Sequence, residues 1–246
     1  MNNIMKYNSD INIIGSIPDY ASMIEYIVEE YTSQRSEYKS FQFRTTKSLS
    51  RFTKAINDSI LSFESGQHER LFYYALLKPE FSPSDKLLVV FWQMLFANAL
   101  FRNITAEVFM KAVYQGKSAL TQNDIYSFVR HLKEENVSEF NWAESTLKII
   151  GSKYLTAMKK LGLADGNLKK EIKYPVISDS LFIYFIKWCQ AVYPNDRTIE
   201  NPYIQFGFLD AISLTNRLKR IDFIQFWDIT QLGNEVAIDI KDYEKE

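Results

Sequence analysis

One cysteine and two histidines are all the thiol and imidazole chemistry that 246 residues carry. Cys189 alone cannot close an intramolecular disulfide, and a multi-cysteine metal site is excluded with it. His68 and His131 fall in different predicted helices with no second histidine or cysteine at ligand spacing, so no metal or cofactor is expected. Eight glycines and six prolines leave little material for long flexible linkers. No glycine-rich phosphate loop is present, and no repeat period is found. An excess of either charge is missing too. Lys and Arg number 29 against 30 acidic residues, a net charge of −1, so any affinity for a polyanion has to come from uneven placement. No apolar run reaches the roughly 20 residues of a membrane-spanning helix. The N-terminal MNNIMKYNSDINIIGSIP lacks an apolar stretch of signal-peptide length, so a cytoplasmic protein without a membrane partner is expected.

Against these absences stand 46% hydrophobic and 15% aromatic residues, enough for one large or two modest cores. The longest apolar stretch, Leu87 to Phe101, reads LLVVFWQMLFANALF, interrupted only by Gln93 and Asn98. A helix that is apolar nearly all round belongs in the centre of a bundle. Ser82, Pro83 and Ser84 supply its capped start.

Around that helix the spacing predicts a mainly α protein. Residues 1–15 read as a loose lead-in. Ser16 and Pro18 open a helix with Tyr20, Met23, Ile24, Ile27, Val28 and Tyr31 on one face, and Asp19, Glu25, Glu29 and Glu30 on the other. A second helix, Thr45 to Phe63, carries Leu49, Phe52, Ile56 and Ile60, and Ser65-Gly66 ends it. Thr105 caps a helix that Gly116 closes, and Thr121 with Asp124 forms a capping box. The polar run Lys133 to Asn141 suggests a soft boundary, giving an N-terminal helical bundle over 1–138 and a second part over 139–246. That second part opens with a helix from about Trp142 to Gly162, then Asp165-Gly166 and an extended stretch to Ile177, the order of a winged helix-turn-helix. Helices over 179–193 and 203–220 follow, and a hairpin of 223–230 with 235–240 ends the chain.

Two cationic faces emerge. At about 100° per residue, Arg44, Lys47, Arg51 and Lys54 fall together, nearly opposite the apolar stripe of their helix. Phosphates along a DNA strand need cations presented side by side, and a helix face supplies that spacing. The alternative is a solvated face paired with acids of the same chain. Tyr38, Phe41 and Phe43, beside this row, suit either base stacking or the core. The second face is the arc Lys148, Ser152, Lys153, Thr156, Lys159 and Lys160, continued by Lys169, Lys170 and Lys173, against Asp165 and Glu171. Winged helices serve both DNA and purely protein contacts, so both readings stay open. Arg217, Lys219 and Arg220 form a third cluster, which also suits a helix C-terminus.

Enzymatic chemistry finds one candidate constellation. Asp228 with Asp239 and Lys241 matches the Asp…Asp-x-Lys pattern of Mg²⁺-dependent nucleases, and Asp165, Glu171 and Lys173 match it less well. The pattern is short and common by chance, so no enzyme is expected.

The stretches RTTKSLSRFTKAI (44–56), Trp142 with Thr146, LGLADGNLKKEI (161–172) and PVISDSLFIYFI (175–186) together resemble the BrxA family, the small non-catalytic component of BREX bacteriophage-exclusion systems. The resemblance implies a helical protein that binds double-stranded DNA beside a methyltransferase, an ATPase and a phosphatase-like partner. It adds no catalytic residue and leaves open a protein scaffold without DNA contact. The positions where DNA contacts make physical sense are Arg44, Lys47, Arg51, Lys54, Lys148, Ser152, Thr156, Lys159, Lys160, Lys169 and Lys170.

Overall fold

Apolar residues at intervals of three and four place most of the chain in helices. A computed structural model describes residues 7–32, 46–135, 142–233 and 235–241. They fall into two compact units, Met1–Phe63 with Phe72–Pro175, and Glu64–Leu71 with Val176–Glu246. The elements in chain order are α1 (Ile11–Ile14), α2 (Tyr20–Thr32), α3 (Thr46–Ser59), α4 (Gly66–Leu77), α5 (Pro83–Ala97) and α6 (Ala99–Ile104). A π-helical turn, Thr105–Met110, joins α6 to α7 (Lys111–Tyr114). Then come β1 (Ala119–Thr121), α8 (Gln122–Glu135), α9 (Glu144–Lys160), β2 (Ala164–Asp165) and β3 (Lys169–Ile172). The last are α10 (Asp179–Val192), α11 (Ala211–Leu218), β4 (Trp227–Leu232) and β5 (Glu235–Ile240). The protein is mainly α.

In the first unit α5 starts as its sequence demands. Ser82 and Asp85 cap each other reciprocally with Pro83 in the first turn, and every residue from Leu88 to Leu95 is buried. The single helix expected to reach Phe101 is corrected at Asn98. There the backbone turns extended, the Asn98 side chain accepts from Phe101 N, and the chain restarts as α6, bent by 108°. An asparagine side chain offers the backbone this alternative to the helical hydrogen bond. Asn98 also donates to Ser59 Oγ at 3.0 Å and Asn8 Oδ1 at 2.9 Å, so the corner is tied on both sides. Among the described residues no single helix is long and apolar enough to cross a membrane.

Gln93 is buried because it has work at the end of α3. Its Nε2 donates to Ile60 O at 2.7 Å and Ser62 O at 2.9 Å, carbonyls beyond the last turn of that helix. Gln93→Leu leaves both short of a partner and should cost about 2 kcal/mol, read as a lower denaturant midpoint with unchanged m-value. Thr105 is not a cap. It lies inside the continuous helical run, donates to Phe101 O at 2.7 Å and meets Tyr154 OH at 3.1 Å.

Nor are residues 7–15 a loose lead-in. Ile11, Ile14 and Ile17 are buried, Tyr20 OH donates to Ile14 O, and Asn103 donates to Tyr7 OH. Asp19, expected on an outer acidic face, instead caps α2 by accepting from Ser22 N at 3.0 Å.

α8 opens on the expected box, with Thr121 N donating to Asp124 Oδ2 at 2.7 Å. Gly151 admits its first turn against α9, since a Cβ there would lie 3.0 Å from Gln122 O. Leu147, Ile150, Tyr154, Ala157, Met158 and Leu161 form the buried face of α9. The three strands pair antiparallel in the order β1-β3-β2, with Leu120 opposite Lys170 and Ala164 opposite Ile172. Because α9 packs on α8 and α1, the boundary expected at 138/139 falls inside this unit, whose last residue is Pro175.

The second unit is built on α10, whose N-cap Ser178 accepts from Leu181 N. Phe182, Phe223 and Trp227 cluster against it, and Trp227 Nε1 donates to Leu218 O. Cys189 is buried there, which pushes its thiol well up. Ser65 does not end a helix but starts α4, accepting from His68 N at 3.2 Å, while buried His68 accepts from Glu64 N through Nδ1. The helix expected over 203–220 is shorter. A 3₁₀ turn at Ile204–Gly207 ends on Phe208 at φ 56°, and Asp210 caps the restart as α11. β4 and β5 form the expected hairpin, although Asn234 of its turn lies outside the described residues.

Arg217 and Arg220 both reach Asp179 Oδ1 at 2.9 Å. The hydrogen bonds from Arg217 and Arg220 hold the Asp179 carboxyl below its usual 3.8. A depressed folded value stabilises above pH 3.8 and is lost as pH falls through that lower value. Asp179→Asn should therefore lose less stability than wild type between pH 5 and 2, by under about 1 kcal/mol at this exposed site, in acid titrations of the unfolding midpoint.

Candidate nucleic-acid interface

On α3, Lys47, Arg51 and Lys54 stand exposed, while Ala55 and Ile56 are buried, as is Ile60 just beyond its end. Arg44, the first member expected in this row, lies outside the described residues, as do Thr45, Tyr38, Phe41 and Phe43. Asp58 pairs with Lys54 one turn on, a solvent-exposed pair that contributes little. Among the described residues neither Lys47 nor Arg51 has an ion-pair partner. Three cations at i, i+4 and i+7 thus reach water along one side of a helix held by its apolar stripe.

On α9 the outward arc is more differentiated than its sequence implies. Lys148 and Lys159 are exposed, whereas Ser152, Lys153, Thr156 and Lys160 are half-buried. The Lys148 ammonium lies 5.9 Å from the centre of the Tyr126 ring. Ser152 Oγ donates to Ile149 O and Thr156 Oγ1 to Ser152 O, so each hydroxyl proton is committed to the helix. Lys160 does not stand free. Its ammonium donates to Gly15 O at 3.0 Å and also to Ile17 O, and lies 5.7 Å from the Tyr20 ring. Burial, and then the neighbouring Lys153 charge, lower its pKa.

α1 therefore packs along one edge of α9, so closely that a Cβ on Gly15 would come within 2.3 Å of Lys153 O. The same short helix packs on α3. The sequence reading missed this role, although isoleucines at 11, 14 and 17 carried the signal of a buried helical turn.

In the β2–β3 turn, Gly166 O accepts from Lys159 at 3.1 Å and from Lys170 at 2.6 Å, while Lys159 also pairs with Asp165. Gly166 takes φ 96°, which favours glycine. Lys169 is exposed without an ion-pair partner among the described residues, and Lys173 meets Glu171 at 3.8 Å. Gly166 O thus holds two lysines beside the turn, with Lys169 reaching water.

The third basic cluster is spent within its own unit. Arg217 and Arg220 bind Asp179, Arg220 also binds Asp222, and Lys219 bonds Gln231. Asp228 and Asp239 do face one another across the hairpin, and Lys241 reaches Asp228 at 2.7 Å. Both carboxylates are exposed, however, and Arg197 lies 3.8 Å from Asp239, so each is matched by a cation. Among the described residues no group of three His, Cys, Asp or Glu side chains converges as a metal site.

A family model, BrxA, matches residues 28–187, a span that takes in α3, α9 and the three-stranded sheet. The chain belongs to the BrxA family. No curated protein matches the sequence. Membership of the BrxA family makes the protein a component of a BREX phage-defence system that associates with other BREX components.

Proposed function

We propose that this BrxA-family protein is a non-catalytic binder of double-stranded DNA within its BREX system, holding duplex phosphates through α3, α9 and the β2–β3 turn. The observation that carries this reading is that the two cation-bearing helices share α1 as a packing neighbour, which puts their charges on one unit. The run Ala99–Tyr114, β1, α8, α9, β2, β3, with strand order β1-β3-β2, supports a winged helix-turn-helix reading of that unit. α9 then occupies the recognition position and the β2–β3 turn is the wing. Lys47, Arg51, Lys148, Lys159 and Lys169 supply phosphate contacts, joined by Lys54 and Lys170, while Ser152 and Thr156, their protons given to the helix, lie between the lysines. Lys160 adds charge while its ammonium fastens α1.

Such binding is electrostatic and salt-dependent. A gel-shift titration against random-sequence duplex tests it, with Lys148, Lys159 and Lys169 replaced by alanine as the comparison. Wild type should shift the duplex, and the triple variant should bind about tenfold more weakly at low salt. If wild type leaves the duplex unshifted while pulling down other BREX components, the protein is a scaffold and its basic faces meet acidic protein surfaces. The methyltransferase, the ATPase and the phosphatase-like protein are the partners to try in that pull-down. Plasmid cleavage with Mg²⁺ that disappears in Asp239→Ala would instead establish a nuclease.

A further inference from the structure

We propose that α9 reads A·T base pairs through Ile149, whose side chain meets the thymine methyl group in the major groove, flanked by hydroxyls that accept from the adenine amino group. This rests on the duplex-binding reading and goes beyond it, because contacts to phosphates alone carry no base preference.

The outward residues of α9 are sorted by charge around the helix. At about 100° per residue, Ser145, Ile149, Ser152 and Thr156 fall within an arc of roughly 60°. Lys148 and Lys159 border that arc on one side, and Lys153 and Lys160 border it on the other. A duplex offers a helix in its major groove base edges bordered by phosphates, and Lys148 and Lys159 border the strip on the side that α1 does not occupy. The uncharged strip is thus where bases would lie, and its most apolar member, Ile149, is 47% exposed. A solvated face would not need a large aliphatic side chain there, whereas a thymine methyl would bury it.

The hydroxyls narrow the choice further. Ser152 and Thr156 have given their protons to Ile149 O and Ser152 O, at 3.0 and 2.8 Å, so towards solvent they offer lone pairs. Lone pairs match an amino group, and the A·T pair alone sets an amino group beside a methyl in the major groove. α1 fixes which half of the helix enters. Seated against Lys153 and Lys160, it occupies that edge of the C-terminal half, whereas Ser145 and Ile149 nearer the N-terminus are exposed. Recognition helices of helix-turn-helix proteins use their N-terminal residues in this way.

The test is fluorescence anisotropy with three duplexes of equal length: A·T-rich, G·C-rich, and the A·T-rich sequence with uracil in place of thymine. Uracil lacks only the methyl group. Wild type should prefer the thymine duplex to the uracil duplex about fourfold, the worth of one buried methyl group. Ile149→Ala should abolish that difference while binding the G·C-rich duplex as wild type does, which shows that it is folded. Equal affinity of wild type for the thymine and uracil duplexes overturns the inference and leaves duplex binding standing. Failure to bind any of the three overturns both.

Discussion

Replacing Lys47, Arg51 and Lys54 together with alanine should weaken duplex binding at least tenfold at low salt and reduce the slope of log K against log salt by about 2 to 3. Each cation on a phosphate releases condensed counterions from the duplex, so removing contacts changes both the affinity and its salt response. The three side chains point to water, and only Lys54 has an ion-pair partner, Asp58, among the described residues. The circular dichroism spectrum and unfolding midpoint should therefore stay near wild type. A folded triple variant with unchanged salt slope would remove α3 from the interface and leave α9 and the wing to carry it.

Gly15→Val should produce the largest loss of stability from a single change. A Cβ at this position meets Lys153 O at 2.3 Å and Lys153 Cβ at 2.8 Å. Lys153 lies in the middle of α9, whose opposite face is buried, so α9 cannot retreat, and α1 is pinned by Ile11, Ile14 and Ile17. Overpacking of this kind costs about 3 kcal/mol. For a unit of this size that lowers the melting temperature by about 10 °C. It should also free the Lys160 ammonium from Gly15 O and Ile17 O. An unaltered melting temperature in the valine variant would show that α1 does not clasp α9.

Much of this architecture was readable from periodicity and capping chemistry. Ser82-Pro83 with Asp85, Thr121 with Asp124, and the buried stripe of α9 are local signals that tertiary packing reinforced. The corner at Asn98 was not readable. An apolar run has the same composition whether it is one helix or two, and the break depends on Ser59 and Asn8, distant in sequence, which hold the asparagine side chain. Asp19 and Ser65 were misplaced for a related reason, because either residue serves as a cap or as a surface polar group, and neighbours decide.

The interface was legible as a charge pattern but not as a set of free charges. Lysine spacing placed 148 and 159 correctly on the outside, yet could not show that Lys160 would fasten α1, or that Lys170 and Lys159 would share the carbonyl of Gly166. Those bonds join residues up to 145 positions apart, beyond the reach of helical periodicity. Ile149 falls inside the outward arc by spacing, but only the fold shows that it is 47% exposed beside buried Ile150.

The salt dependence of wild-type affinity for a random-sequence duplex tests the central claim most directly. With five to seven lysine and arginine side chains on phosphates, log K should fall against log salt with a slope of about −4.5 to −6. A flat dependence, or no binding at low salt, would contradict the claim that α3 and α9 present their cations to DNA.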